Sequence, residues 1–397
     1  MTEGRKPSWL EQAGIEQKNL KTGIDKRTGG WYILVSETDL VYIENGLVRS
    51  KRRDQRGGKM PATIRDLASR VGLSMSAVSK ALNGYPDVSE KTRQMVLRAA
   101  QEMNYIPNVH ARALKSGRNY SLGVLFTDGR RSGLTHPFFS MVLEGFRKET
   151  EEKGYDITFI GHRLGESGIT YLEHCRSREL EGVCIACIDF SLQEVRELVE
   201  AELPVVTIDH PFPGRGCVLA DNAGGMTSLV DYAAGLGHRR IALIHGDGGS
   251  VVTETRVSAF LSAMKARGLV VPPEYITSCE YTNQESGYEA TERLLSLPEP
   301  PGCILASDDL SATGAMTAAL LRGLRVPEDL CLAGYDGIEI MQKSHPRLTT
   351  VDQNAALIGR TAAELLMAQI EGAPPETRTV PSTLIPGETV GPPAGGA

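Results

Sequence analysis

The chain has 397 residues, 41% of them hydrophobic, with a formal net charge of −6. That length supports two or three domains with substantial cores. No apolar run approaches the roughly 18 residues a membrane-spanning helix needs, and no apolar h-region marks a secretory signal. Seven cysteines, an odd number scattered over residues 175–331, do not make a disulfide framework. The expected setting is therefore cytoplasmic, with reduced thiols.

Charge is unevenly placed. Residues 49–118 hold 15 Lys+Arg against 5 Asp+Glu, a net of +10. Residues 1–48 carry −1 (6 against 7), and residues 119–397 carry −15 (22 against 37). A basic segment on an acidic body is the electrostatic footprint of a nucleic-acid module.

In chain order, residues 31–48, WYILVSETDLVYIENGLV, offer two β-rich runs around Thr38-Asp39. The basic, Gly-containing stretch SKRRDQRGGK follows. Residues 1–60 are expected to be either a poorly ordered extension or an accessory hairpin whose basic arm adds phosphate contacts.

Next comes TIRDLASRVGLSMSAVSKALNG. Thr63 can cap a helix, with Asp66 three residues on. Ile64, Leu67, Ala68 and Val71 recur on one helical face. Gly72 ends that helix, and Leu73 is the apolar residue a tight turn buries. Ser74 caps a second short helix with Val78, Ala81 and Leu82 inward and Met75, Ser76, Ser79 and Lys80 outward. Ser89 caps a third, with Val96, Ala99, Ala100 and Met103 inside. Two short helices joined by a tight turn, closed by a third, follow the helix-turn-helix plan, although a generic three-helix bundle reads the same way. After Pro107, VHARALKS is too short to hold a helix alone, which suits a segment that folds on a partner.

From residue 120 apolar runs read as buried strands: 121–126, 155–160, 182–188, 204–208, 240–245, 303–306 and 330–334. Amphipathic stretches between them read as helices: 138–153, 168–178, 191–202, 223–236, 254–267, 285–297, 310–323 and 353–371. That alternation implies parallel sheets covered on both faces. Some 270 residues exceed one core, so two lobes are expected.

ATIRDLASRVGLSMSAVSKALNG, VSEKTR, NYIPN and ARALKSG together resemble the DNA-binding end of the lactose-repressor/galactose-repressor (LacI/GalR) family of bacterial regulators. THPFFSMVLEGF, VLADN, GHRRIALI, ESGY, SDDLSATGA, LRVPEDL, LAGYDG and LTTVDQ extend the likeness to about residues 61–390. The resemblance implies an N-terminal all-α helix-turn-helix domain with a hinge helix. An α/β two-lobed periplasmic-binding-protein-like (type I) effector domain with parallel sheets follows. The expected divisions are 61–106 for the helix-turn-helix, 107–119 for the hinge and 120–397 for effector binding and dimerisation. Lobe 1 spans about 120–221 and 348–378, and lobe 2 about 222–347 and 379–390. Three crossings fall near residues 221, 347 and 378.

By the same resemblance, Met75, Ser76 and Lys80 match base-reading positions of a recognition helix. Lysine donates to guanine O6/N7 and serine reaches either base type. Thr63, Ser74, Ser79, Asn83, Tyr105 and Asn108 match backbone contacts, which fix register without reading sequence. Ala111, Leu114 and Lys115 match the hinge, with Leu114 as the wedge that enters the minor groove of double-stranded operator DNA. In the effector domain Arg256 matches a ligand-clamping arginine. Asp209, Asp308 and Asp336 end strands at matching positions, and Phe138 and Phe139 match an apolar wall. His136 and Thr282 are weaker matches. The plainer readings stand beside these: solvated helix residues, a core leucine, capping aspartates, a core phenylalanine.

The chain departs from the family pattern in three places. Thr282 replaces an aromatic that many relatives carry. Ser250 stands where some purine-type relatives have arginine, and Gly387 where a basic residue is frequent. These affect the ligand class, not the fold. Cys184-x-x-Cys187 lies inside an apolar strand and suits neither redox nor zinc chemistry. HGDGGS at 245–250 lacks the Walker A lysine and a full GxGxxG. No GxSxG or HExxH occurs, and no cofactor or metal is expected. The combined expectation is a homodimeric transcription regulator, with repression as its output and a sugar-like effector between the lobes. A solute-binding protein, or an enzyme on the same scaffold, is the alternative. Leu114→Ala should lower operator affinity sharply in an electrophoretic shift titration; affinity held within about twofold would remove the hinge role.

Overall fold

The computed structural model describes the backbone of residues 21–24, 31–34, 39–44 and 47–52, and residues 62–82, 84–105, 118–127, 133–164 and 167–393. The chain divides into two compact units, residues 1–108 and 109–397. Asn83, Asn108, Ala111, Leu114 and Lys115, all named above for DNA contact, lie outside the described residues.

In the first unit, β1 (Lys21–Ile24), β2 (Trp31–Leu34), β3 (Asp39–Glu44) and β4 (Leu47–Arg52) form an antiparallel meander in sequence order. The two runs expected around Thr38-Asp39 are β2 and β3, paired Trp31↔Ile43 through Leu34↔Leu40. Asn45-Gly46 then joins β3 to β4, where Glu44 pairs with Leu47. That dipeptide is a strong two-residue hairpin signal.

Three helices follow: α1 (Ile64–Val71), α2 (Met75–Leu82) and α3 (Glu90–Glu102). Thr63 Oγ1 accepts from the Asp66 N–H, and the Asp66 carboxylate accepts from the Thr63 N–H at 2.8 Å. This reciprocal box satisfies two of the orphan donors at the start of α1. Gly72 ends α1 with φ +66°, a left-handed conformation that glycine adopts without a Cβ penalty. Ser74 and Ser89 cap α2 and α3 by accepting from the N–H groups of Ala77 and Thr92. The core is Leu67, Ala68, Val78, Ala81, Val96, Ala99 and Ala100, with Leu73, Met103 and Tyr105 packed against it.

In the second unit, the first lobe is a six-stranded sheet: β5 (Ser121–Phe126), β6 (Asp156–Phe159), β7 (Gly182–Cys187), β8 (Val205–Ile208), β9 (Gly216–Ala220) and β15 (Thr377–Val380). Its order is β15-β9-β8-β7-β5-β6, and every pairing is parallel. One face is covered by α4 (Pro137–Glu152) and α11 (Ala355–Ile370), the other by α5 (Tyr171–Ser177) and α6 (Gln193–Glu200).

The second lobe has β10 (Ile241–His245), β11 (Ile276–Ser278), β12 (Cys303–Leu305) and β13 (Cys331–Ala333), in the parallel order β11-β10-β12-β13. Helices α7 (Asn222–Gly235) and α8 (Val251–Ala266) cover one face. Helices α9 (Gln284–Leu295) and α10 (Asp309–Leu321) cover the other. The buried strands carry no polar alternation, as a sheet covered on both faces requires.

Two crossings differ from expectation. β14 (Thr350–Asp352) pairs with β16 (Thr383–Ile385), and Thr349 and Asp352 bridge to Ala333 and Asp336. Residues 348–352 therefore belong to the second lobe, and 379–380, inside β15, belong to the first. The chain crosses at 221, at 353–354 and at 381–382, not near 347 and 378. Three-residue strands have no alternation long enough to show which sheet they join. Strands β9, β11 and β15, of three to five residues, were also absent from the expected set.

The first lobe depends on close approach of α4 and α11. A Cβ on Gly359 of α11 would collide with the backbone carbonyl of Val142 in α4. Backbone cannot yield as a flexible side chain can, so Gly359→Ala should destabilise the effector unit by about 1–3 kcal/mol. Chemical denaturation monitored by circular dichroism would show this as a lower midpoint; an unchanged midpoint would mean the helices are free to separate.

Candidate functional site

Two groups of residues carry chemistry, one in each unit. In the first unit, α2 turns Val78 and Ala81 inward and leaves Met75, Ser76 and Lys80 exposed. Met75 is 47% exposed, large for an apolar side chain with no structural duty. Ser76 Oγ lies 2.9 Å from Ser74 Oγ. Lys80 is ion-paired to Asp87, in the loop before α3. A guanine would have to replace that partner. Thr63 and Ser74 act as helix caps, Ser79 is half-buried, and Tyr105 packs on the core. Burial raises the Tyr105 phenol above its usual range.

In the second unit, the C-terminal ends of the parallel strands in both lobes lead into Asp209, Thr282, Asp308 and Asp336. This is where open α/β sheets bind ligands. Arg256, on α8, is 5% exposed. Its guanidinium donates to Asn222 Oδ1 at 2.7 Å, to the Ser307 carbonyl at 3.0 Å and to Gln353 Oε1 at 3.1 Å. It also lies 3.6 Å from the centroid of the Tyr335 ring, a cation–π contact. Asp336, after β13, is buried and accepts from Gln353 Nε2 at 2.6 Å. Burial, reinforced by Asp308, holds its carboxyl well above the usual range. Asp209, after β8, accepts from the Ala220 N–H at 3.0 Å, and burial raises its carboxyl too. Asp209, Thr282, Asp336 and Asn354 have φ of 57°, 53°, 115° and 59°. Such backbone is uncommon outside glycine and is kept where surrounding structure enforces it, frequently at binding sites.

The remaining predicted residues have structural duties. Asp308 accepts from the Ser311 N–H, both the Ser307 and Ser311 hydroxyls, and the Thr282 N–H. It caps α10 with its acceptor capacity used, so the capping reading fits it better than effector binding. His136 caps α4 by accepting from the Phe139 N–H at 3.3 Å. Phe138 is buried in the first-lobe core, while Phe139 is half-buried beside Phe126 and His136. Cys184 is fully buried, and burial pushes its thiol up to about 12, which suits an inert core residue.

Sequence reasoning missed Asn222, Tyr281, Ser307, Tyr335 and Gln353. Asn222, Ser307, Tyr335 and Gln353 lie inside the motifs VLADN, SDDLSATGA, LAGYDG and LTTVDQ. No periodicity distinguishes them; only the crossings bring them together. Tyr281 adjoins Thr282, where an aromatic wall appeared to be missing, and its hydroxyl meets Thr253 Oγ1 at 2.9 Å.

Residues 63–108 match the model for bacterial regulatory proteins of the lacI family, and residues 230–390 match a periplasmic binding protein-like domain. The chain is 31% identical over 322 residues to a probable HTH-type transcriptional repressor, ExuR, of Bacillus subtilis (strain 168). That match covers 80% of this chain and 93% of ExuR. The chain belongs to the lacI family of bacterial regulatory proteins. It is a DNA-binding transcriptional regulator. It is also 31% identical to the repressor CytR of Escherichia coli (strain K12), over 78% of this chain and 90% of CytR. A crystal structure of the lac repressor dimer bound to operator and the anti-inducer ONPF aligns with a TM-score of 0.71 at 25% identity. It covers 84% of this chain and all of that one. A complex of the regulator CelR with cellobiose aligns at 0.61 and 26% identity, over 83% of this chain and 99% of that one.

Asp309, beside the cleft, offers a pH test. It accepts from Thr350 Oγ1 at 2.5 Å and from the Ile338 N–H at 2.7 Å, and burial raises its carboxyl from 3.8 to about 7. A carboxyl whose folded pKa is raised binds its proton more tightly when folded, so its contribution is complete below the unfolded pKa and is lost as pH rises through the folded one. Wild type should therefore lose stability relative to Asp309→Asn between about pH 4 and pH 7 in thermal denaturation. Parallel pH profiles would contradict this.

Proposed function

We propose that this regulator is a homodimeric repressor whose affinity for operator DNA is set by a small, hydroxyl-rich effector held between the two lobes. The observation that carries this is the cleft itself. Asp209 and Asp336, from opposite lobes, flank a buried arginine, and each has one carboxylate oxygen without a hydrogen-bond partner among the described residues. Two acceptors around a fork of donors suit the alternating hydroxyls of a sugar or sugar derivative. The CelR–cellobiose complex supports that class without fixing the compound.

On the DNA side, Met75, Ser76 and Lys80 are disposed to read bases, and the net +10 stretch around them supplies phosphate contacts. Two copies would read the halves of a near-palindromic site, as the operator-bound lac repressor dimer suggests by analogy. Ala111, Leu114 and Lys115 would serve as the conditionally folded joint. Effector binding would favour one lobe arrangement over another and so change DNA affinity through differential binding. The setting is the cytoplasm. No catalytic role is assigned: the basic head and the missing nucleophile motifs favour regulation over the transport-protein and enzyme readings.

Titrating the protein with its own upstream DNA at two salt concentrations tests the proposal. Affinity should fall steeply with salt, by a slope of about 0.9 per phosphate neutralised. Lys80→Ala should cost about 1–3 kcal/mol on the cognate duplex and much less on random duplex. Binding insensitive to salt, or equal losses on both duplexes, would contradict it.

A further inference from the structure

Gln353 stands at the second crossing between lobes, is 2% exposed, and has both polar atoms of its amide hydrogen-bonded. Its Oε1 accepts from Arg256 Nη2 at 3.1 Å and its Nε2 donates to Asp336 Oδ1 at 2.6 Å. The side chain thus bridges the two groups assigned above to effector binding, an inference that rests on that reading of the cleft. A sugar hydroxyl makes the same pair of interactions: its oxygen accepts from a guanidinium and its hydrogen is donated to a carboxylate.

We propose that Gln353 is an internal stand-in for the effector, and that displacing it is how the cleft reports occupancy to the crossings. With the cleft empty, the amide supplies one acceptor to a buried cation and the side-chain donor to a buried acid, and leaving either group unmatched is costly. An effector that takes both groups releases Gln353. Because Gln353 joins β14 to α11, its release frees the tether between lobes. Arg256 also holds Asn222, at the first crossing. Tyr335, whose ring lies against Arg256, donates to the Asn222 carbonyl at 3.3 Å. Ser382 at the third crossing has a buried hydroxyl with no hydrogen-bond partner among the described residues. The guanidinium is therefore hydrogen-bonded at the first two crossings, and Gln353 is the part of that hub a ligand can exchange for itself. Gln353 is on this account a positioning residue with a competitor's effect on affinity.

The test uses full-length protein with Gln353→Leu and Gln353→Ala. D-ribose, D-glucose, D-galactose, cellobiose and cytidine serve as calorimetric probes, and upstream duplex DNA as the second readout. Any probe that binds wild type should bind both variants about tenfold more tightly, the scale of one competing hydrogen bond. The same probe should no longer change the variants' duplex affinity. A probe that binds only the variants would also support the competition. Unchanged or weaker probe binding in the variants would make Gln353 a scaffold or a direct ligand contact and overturn the inference alone. Tighter binding with the duplex response intact would overturn its coupling role. No binding of any probe to any form would overturn the sugar-like reading of the cleft, and the inference with it.

Discussion

A buried guanidinium is the constraint on which the effector unit depends. Arg256 stays charged at any ordinary pH, and a charge removed from water must be compensated by partners of good geometry. Here the compensation comes from a side-chain amide, a backbone carbonyl, a second amide and an aromatic face, with Asp336 and Asp209 near enough to act through the field. No carboxylate forms a direct ion pair with it among the described residues. A fork of five donors that also stacks can be held this way; an ammonium cannot. The arrangement leaves one carboxylate oxygen each of Asp209 and Asp336 without a hydrogen-bond partner among the described residues.

The partners of Arg256 come from different stretches of chain because the unit is two sheets joined by three crossings. Parallel order within each lobe brings strand ends to one edge, and the crossings lie between those edges. Asn222 and Gln353 are at the points where the chain leaves one lobe for the other. Two of the residues that stabilise the buried charge, Asn222 and Gln353, are therefore also the residues through which the chain passes between lobes.

Much of this was legible from sequence. The apolar runs and amphipathic stretches of residues 120–371 matched the longer strands and helices to within a few residues, because burial on two faces leaves a strong composition signal. The caps at Thr63, Ser74 and Ser89 were legible because capping is local. Short strands were not: β14 and β16 pair with each other within the second lobe, and three residues carry no period. At the cleft, Arg256 and Asp336 came from motif likeness, and the structure joins the two through Gln353. Asp308 looked equivalent to Asp336, yet its acceptors are occupied by Ser307, Ser311 and Thr282. Only the fold distinguishes a strand-end aspartate that caps a helix from one that faces the cleft. Gln353 gave no signal of its own, since the sequence marked it only as the first residue of the expected helix 353–371.

The central claim is that one buried cation connects the first two crossings. Hydrogen–deuterium exchange of the ligand-free full chain, wild type against Arg256→Met, tests it most directly. The account predicts that peptides covering 219–224 and 350–356 lose protection together, while the central strand Ser121–Phe126 keeps its own. Loss confined to one of these crossings, or protection unchanged at both, would contradict it.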